Sequence, residues 1–274
     1  MAAGAGAGLA TAFNAPTASA IFVMEELVYR FSARMLAATL VACVSATVVL
    51  RAFVENLPAF SVPDATYELL PSLPWFVALG CAAGLLGAGF NRLLVWTMDR
   101  FEALTALPWG AKGALVGAGA GLMAWFAPGI VGGGEELAQL SLDIRATLGA
   151  LAGLMLLRLG LTVCSYATGA PGGIFAPVLA IGALLGNGFA LCAGGASPSA
   201  LIVVAMAACF TAVVRSPLTG IVLLLEMTGA FSLMLPMLAA CAAAYLIPEL
   251  LGVEPIYETL RARDERRETS GGAP

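Results

Sequence analysis

The stretch Gly169-Ala-Pro-Gly-Gly-Ile-Phe-Ala-Pro177 separates two long apolar runs, and its reading decides the fold. Its paired glycines, Gly172 and Gly173, let the backbone bend and expose its amides, and the apolar run that follows starts a helix. The first turn of a helix has N–H groups without an intrahelical partner and carries the positive end of the helix dipole. The amides of Ile174 and Phe175 can therefore hold an anion at membrane depth without a full positive charge, which keeps binding weak enough for release. The same residues also fit a Gly-Pro hinge that only breaks a membrane helix.

The rest of the chain sets this stretch inside a bilayer. Of 274 residues 60% are apolar, and charged residues make up 11%, against about 25% in an average soluble domain. Thirty-two glycines among runs of Ala and Leu suit closely packed membrane helices. The net charge of −4 leaves no basic face for nucleic acid. Histidine is absent, which removes His-based metal sites, Ser-His-Asp catalysis and the usual near-neutral proton shuttle. A proton carrier in this chain must be a carboxylate or water. The six cysteines are widely spaced within apolar runs and read as buried small residues, not as a metal or disulfide framework. No cofactor motif and no nucleophile–base pair is visible, so enzyme readings rank below transport.

Crossing roughly 30 Å of hydrocarbon takes about 20 apolar residues. Such runs are predicted at 34–53, 73–98, 108–127, 145–164, 174–193 and 231–251, with shorter segments at 15–27, 197–213 and 216–227. Short, broken helices are common where a transporter builds its site. Arg30 and Arg34 flank one end of the 34–53 run, whereas Glu55, Asp64 and Glu68 follow the other. The positive-inside rule then puts Arg30 in the cytoplasm. Arg92, Arg100 and Lys112 fall on that side again, Glu135 and Glu136 on the outer one, and Arg261, Arg263, Arg266 and Arg267 predict a cytoplasmic C-terminus. One membrane domain over 1–265 and a disordered tail over 266–274 account for the chain. Met1 opens directly into a helix, with no signal-peptide pattern.

An internal repeat is visible. Asn14-Ala-Pro-Thr-Ala-Ser-Ala-Ile-Phe-Val-Met-Glu25 and Arg215-Ser-Pro-Leu-Thr-Gly-Ile-Val-Leu-Leu-Leu-Glu226 share a polar residue, a proline two later, an apolar run, and a glutamate nine after the proline. Duplication of this kind is a feature of transporter architectures.

Glu25 and Glu26 end a short apolar segment, and an intramembrane carboxylate is by default a functional candidate. Two readings fit the pair: a proton-transfer group, or solvated carboxylates salt-bridged to Arg30 at the cytoplasmic end. Glu226, deeper in apolar sequence, reads as a packing residue. Arg158 and Arg215 each need a carboxylate, a carbonyl or an aqueous cavity, and read as structural anchors. Gly113, Gly117 and Gly121 recur every four residues and predict helix packing. Gly132-Gly-Gly-Glu-Glu136 reads as a loop and lacks the lysine of a phosphate-binding loop.

Ala-Phe-Asn-Ala-Pro16, Glu25-Glu26, residues 169–177, Ser-Pro-Leu-Thr-Gly220 and Pro-Ile-Tyr257 occur in the order found in the CLC chloride channels and chloride/proton antiporters, and the chain resembles the C-terminal part of a bacterial member. The likeness runs from about residue 4 to residue 263, and the GxFxP-type motif over 173–177 is highly specific. It implies an all-α, polytopic membrane protein of inverted-repeat architecture with tilted and broken helices, lying in the inner (plasma) membrane. It also implies anion binding by Gly173, Ile174, Phe175 and the Tyr257 hydroxyl. Glu26 matches the internal proton-transfer glutamate of the exchangers, with Glu25 lining its water access. Chloride or a similar monovalent anion and protons are the implied partners, and no cofactor is implied. A homodimer is implied through residues 14–53 and 216–250.

The sequence departs from the family at its beginning, where Met1 falls inside what resembles an early helix. Two upstream motifs are missing: a GSGIP-like serine loop, and a GREGP-like loop with the external gating glutamate. Gly134-Glu-Glu136 is the nearest string to the latter, but lacks its flanks and falls in an outer loop. Two functional readings follow. In one, the chain belongs to a CLC-type chloride/proton exchanger. In the other, it is a non-transporting half or membrane scaffold that needs the missing helices.

Overall fold

The structure is a computed structural model describing residues 1–28, 32–54, 58–63, 65–104, 108–143, 146–170, 172–193 and 195–269. Its helices are α1 (Ala2–Phe13), α2 (Pro16–Phe22), a π-helical turn (Val23–Val28), α3 (Ala33–Phe53), α4 (Leu69–Ala103), α5 (Trp109–Phe126), α6 (Glu135–Asp143), α7 (Leu148–Ala167), α8 (Phe175–Ala190), α9 (Pro198–Val214), α10 (Pro217–Thr228), α11 (Met234–Leu250) and α12 (Ile256–Thr269). Among the described residues there is no sheet, only an isolated bridge between Tyr67 and Ala196.

The core forms around α9. This helix is apolar on all sides and is buried along its length, from Ser199 to Val214, as expected for a helix without a polar face. Helices α4, α8, α10 and α11 pack around it. Glycine lets them come close: a Cβ on Gly182 would lie 2.7 Å from the Met206 Cα, and one on Gly186 2.5 Å from the Ile202 Cα. Along α4, Gly80, Gly84 and Gly87 serve the same purpose against Ala240, Ile247 and Ala212. These contacts hold α8 firmly against α9, and with it the helix start at Phe175.

Among the described residues, four helices are long and apolar enough to cross a membrane: Ala33–Phe53, Leu69–Ala103, Leu148–Ala167 and Phe231–Leu250 with its leading 3-10 turn. The predicted crossing at 174–193 is instead the 16-residue α8, about 24 Å long at 1.5 Å per residue. The bend before Phe175 and the turn after Ala190 shorten it. The run at 108–127 forms α5, whose glycines and Lys112 dilute its hydropathy, and it is not among the four.

Several other expectations are corrected. Gly113, Gly117 and Gly121 face open space instead of a packed neighbour, because α5 lies on the outside of the chain. The segment read as a loop over 132–136 becomes helix from Glu135, with both glutamates in the first turn, where carboxylates suit the dipole. Of the cysteines, Cys43, Cys209 and Cys241 are buried, but Cys192 is exposed just beyond α8. Helix α12 runs to Thr269 and so enters the segment expected to be disordered. Residues 270–274 of that segment, and Arg30, lie outside the described residues.

Candidate functional site

Helix α8 starts at Phe175 with Ile174 as its N-cap, and no side chain caps it. Gly169, at φ +77°, takes the left-handed turn that leads the chain in, a conformation open to glycine at little cost. Phe175 is wedged among aromatic rings: Phe210 at 4.8 Å and Phe22 at 5.0 Å, both edge-on, with Phe13 at 5.9 Å and Tyr257 at 6.1 Å. Edge-to-face packing of this kind is directional, so the position of the first helical amides is set by rings from α1, α2, α9 and α12.

Tyr257 sits in the first turn of α12. That helix is fastened at both ends. At its start, the Asn91 side-chain amide donates to the carbonyls of Val213 (3.1 Å) and Glu254 (3.3 Å), and Arg215 donates to the Val253 carbonyl at 2.7 Å. Farther along, Arg263 pairs with Asp99 (2.6 Å) and Glu102 (2.9 Å) at the end of α4. Burial works against the Arg263 charge, but the hydrogen bonds and charges of these two carboxylates outweigh it and raise its pKa. Burial first, then the nearby Tyr166 and Glu26, pushes the Tyr257 phenol well above the ordinary tyrosine range. Its hydroxyl therefore keeps its proton and remains a donor.

A cavity of about 910 Å³ opens beside these groups, lined by Gly173, Phe175, Tyr257 and Glu26 together. Tyr166, Arg261, Asp264 and Glu265 also face it. Four of the six expected site residues thus meet in one place. Ile174 is 1% exposed, belongs to the core and is not among the residues lining the cavity. Glu25 is not among the residues lining the cavity.

Glu25 is instead engaged at the N-terminus of α10. Its carboxylate accepts from the amides of Leu218 (3.3 Å) and Thr219 (2.9 Å) and from the Thr219 hydroxyl (2.6 Å). Glu226, its counterpart in the repeat, accepts from the amides of Thr17 (3.1 Å) and Ala18 (2.9 Å) at the N-terminus of α2. Each repeat thus ends in a glutamate that caps the short helix of the other, using matching positions. The residues that open the two repeats, Asn14 (φ +50°) and Arg215 (φ +72°), are the only non-glycine residues at positive φ among those described. The sequence repeat is therefore also a repeat of conformation. Glu26, the neighbour of Glu25, is buried and accepts a hydrogen bond from the Ser216 hydroxyl at 2.8 Å.

Both buried arginines act as anchors. Arg158 donates to the carbonyls of Ile130 (3.0 Å), Gly132 (2.7 Å) and Gly133, which secures the loop before α6 close to the cavity. Gly134, at φ +99°, leaves room for it, since a Cβ there would lie 2.8 Å from both Ala180 and Arg158. Arg215 reaches the Tyr245 carbonyl (3.2 Å) and Glu249 (2.8 Å).

Sequence reasoning missed the cavity positions of Tyr166, Arg261, Asp264 and Glu265. The only signal for Tyr166 was its place just ahead of Gly169, and the charges of α12 read as a solvated tail. Ser216 was also missed, because a serine before proline at a helix start reads as an ordinary cap.

Residues 1–249 match the family described as voltage gated chloride channel. An H(+)/Cl(-) exchange transporter ClcA of Cronobacter sakazakii is 36% identical over 274 residues, covering 96% of this chain and 59% of that protein. A ClcA of Yersinia pestis is 37% identical, with 96% of this chain and 57% of that protein covered. The chain thus spans a little over half the length of these relatives. Among solved structures, a slow cyanobacterial Cl-/H+ antiporter superposes with a TM-score of 0.91 at 34% identity, over 98% of this chain and 65% of that one. A CLC-type fluoride/proton antiporter shares the fold with a TM-score of 0.78 at 23% identity. With the motif at 169–177, the repeat and the helix arrangement all in agreement, the chain belongs to the voltage gated chloride channel (CLC) family.

Proposed function

We propose that this chain carries the central anion site and the inner proton-transfer group of a CLC-type chloride/proton exchanger. One observation supports this above the others: the start of α8, the Tyr257 ring and the Glu26 carboxylate all border a single cavity. The anion is held by the amides of Ile174 and Phe175, with Gly173 giving access, and by the Tyr257 hydroxyl. These neutral donors bind chloride without the desolvation cost of a buried cation. Glu26 carries the proton, since among the described residues it is the one carboxylate that is both buried and on this cavity. Glu25 is assigned to capping α10 rather than to water access, because its oxygens accept three hydrogen bonds there.

The protein lies in the bacterial inner membrane with its C-terminus in the cytoplasm. It forms a homodimer through residues 14–53 and 216–250, where Val41, Val44 and Val48 make an exposed apolar stripe on α3. The test is chloride efflux recorded together with proton uptake in liposomes, for this chain alone and for a full-length CLC protein carrying it. Coupled flux in the full-length form that falls to chloride flux alone with Glu26→Gln supports the reading. Proton uptake that survives this substitution contradicts it.

A further inference from the structure

Ser216 is the N-cap of α10, yet its side chain makes no cap within its own helix. A serine at this position ordinarily accepts from the amides two or three residues on. Those amides, of Leu218 and Thr219, are bonded to Glu25 instead. The Ser216 hydroxyl is thereby released from capping, and it donates to Glu26 across a buried contact of 2.8 Å between residues 190 apart in sequence. Consecutive residues of a regular α-helix point about 100° apart, which would separate Glu25 from Glu26. Here both lie in the π-helical turn Val23–Val28, a wider geometry that recurs at functional sites; Glu25 reaches the first turn of α10 and Glu26 its N-cap.

We propose that Ser216 is a positioning residue for proton transfer, holding the Glu26 carboxylate at the start of α10, and that Glu25 makes this possible by taking over the capping of that helix. The inference rests on the reading of Glu26 as proton carrier. A hydroxyl suits the task in both protonation states, because it donates to a carboxylate and accepts from a carboxyl. The bond to the charged form is the stronger one, so loss of the hydroxyl makes Glu26 hold its proton more tightly. The other groups facing the same cavity are Tyr257, Arg261, Asp264 and Glu265 on α12 and Tyr166 on α7, with Glu25 on the same turn as Glu26.

The experiment measures chloride-driven proton uptake against pH in a full-length CLC protein carrying this chain. Ser216→Ala is expected to move the half-maximal pH upward by about one unit while chloride efflux persists. Ser216→Thr, which keeps the hydroxyl, is expected to retain the wild-type profile. A Ser216→Ala profile that superimposes on the wild type overturns the assignment of Ser216. Where the alanine variant does not assemble, Ser216→Cys decides in its place: a thiol is a weak donor, so a smaller upward shift supports the proposal and an unshifted profile overturns it. Glu26→Gln separates the two levels. If it still takes up protons, the reading of Glu26 itself fails, whatever Ser216 does.

Discussion

In the proposed anion site the donors of Phe175 and Tyr257 are neutral, a backbone amide and a hydroxyl. Phe175 contributes its backbone and is held by four rings, while Tyr257 contributes one hydroxyl from a helix tied to α4 and α9. Removing that hydroxyl with Tyr257→Phe keeps the ring packing and deletes one donor. Chloride affinity, measured by calorimetry, is expected to fall about tenfold, and an unchanged affinity would remove Tyr257 from the site. The direction of the Tyr257 pKa gives a second expectation. Because burial favours the neutral phenol, the donor persists as pH rises, and is lost only above the ordinary tyrosine range of about 10. Chloride binding followed to alkaline pH should therefore show no tyrosine-linked loss below that range. At this scale the sequence motif identified the backbone of Ile174 and Phe175 correctly as a helix start. It could not separate Glu25 from Glu26, since adjacent carboxylates look alike until the π turn and the start of α10 assign one to capping and the other to Ser216.

Among the elements, the reciprocal caps and the glycine contacts carry the geometry. Glu226→Ala leaves the α2 amides of Thr17 and Ala18 without their acceptor, and is expected to lower stability by about 1 kcal/mol. Thermal unfolding in detergent checks this, and an unchanged midpoint would mean that the cap contributes nothing. Gly186→Ala forces a Cβ to 2.5 Å from the Ile202 Cα and is expected to cost about 1–3 kcal/mol through overpacking. Gly117→Ala, which meets nothing within 4 Å, is expected to be neutral or to gain up to about 1 kcal/mol from helix propensity. The contrast explains what was legible. Glycines four apart occur at 80 and 84, at 182 and 186, and at 113, 117 and 121. The pattern shows that a helix face is smooth, and only the tertiary arrangement shows whether another helix rests on it. The paired repeats, by contrast, were readable because the proline that starts each short helix and the glutamate that caps the short helix of the other repeat each perform a task that restricts residue choice.

In the whole molecule, the starts of α8 and α12 border one cavity, and the buried α9 is packed against α4, α8 and α11. The short α8 was misjudged from sequence as a full crossing because hydropathy records apolar length and not where the backbone bends. The central claim is that the start of α8, with Tyr257, is where the anion rests. The most direct measurement is anomalous diffraction from a crystal of a full-length CLC protein carrying this chain, with bromide replacing chloride. The account predicts a bromide peak within hydrogen-bonding reach of the Ile174 and Phe175 amides and the Tyr257 hydroxyl, and its loss or weakening in Tyr257→Phe. Bromide bound only elsewhere, with this cavity free of anomalous density, would contradict it.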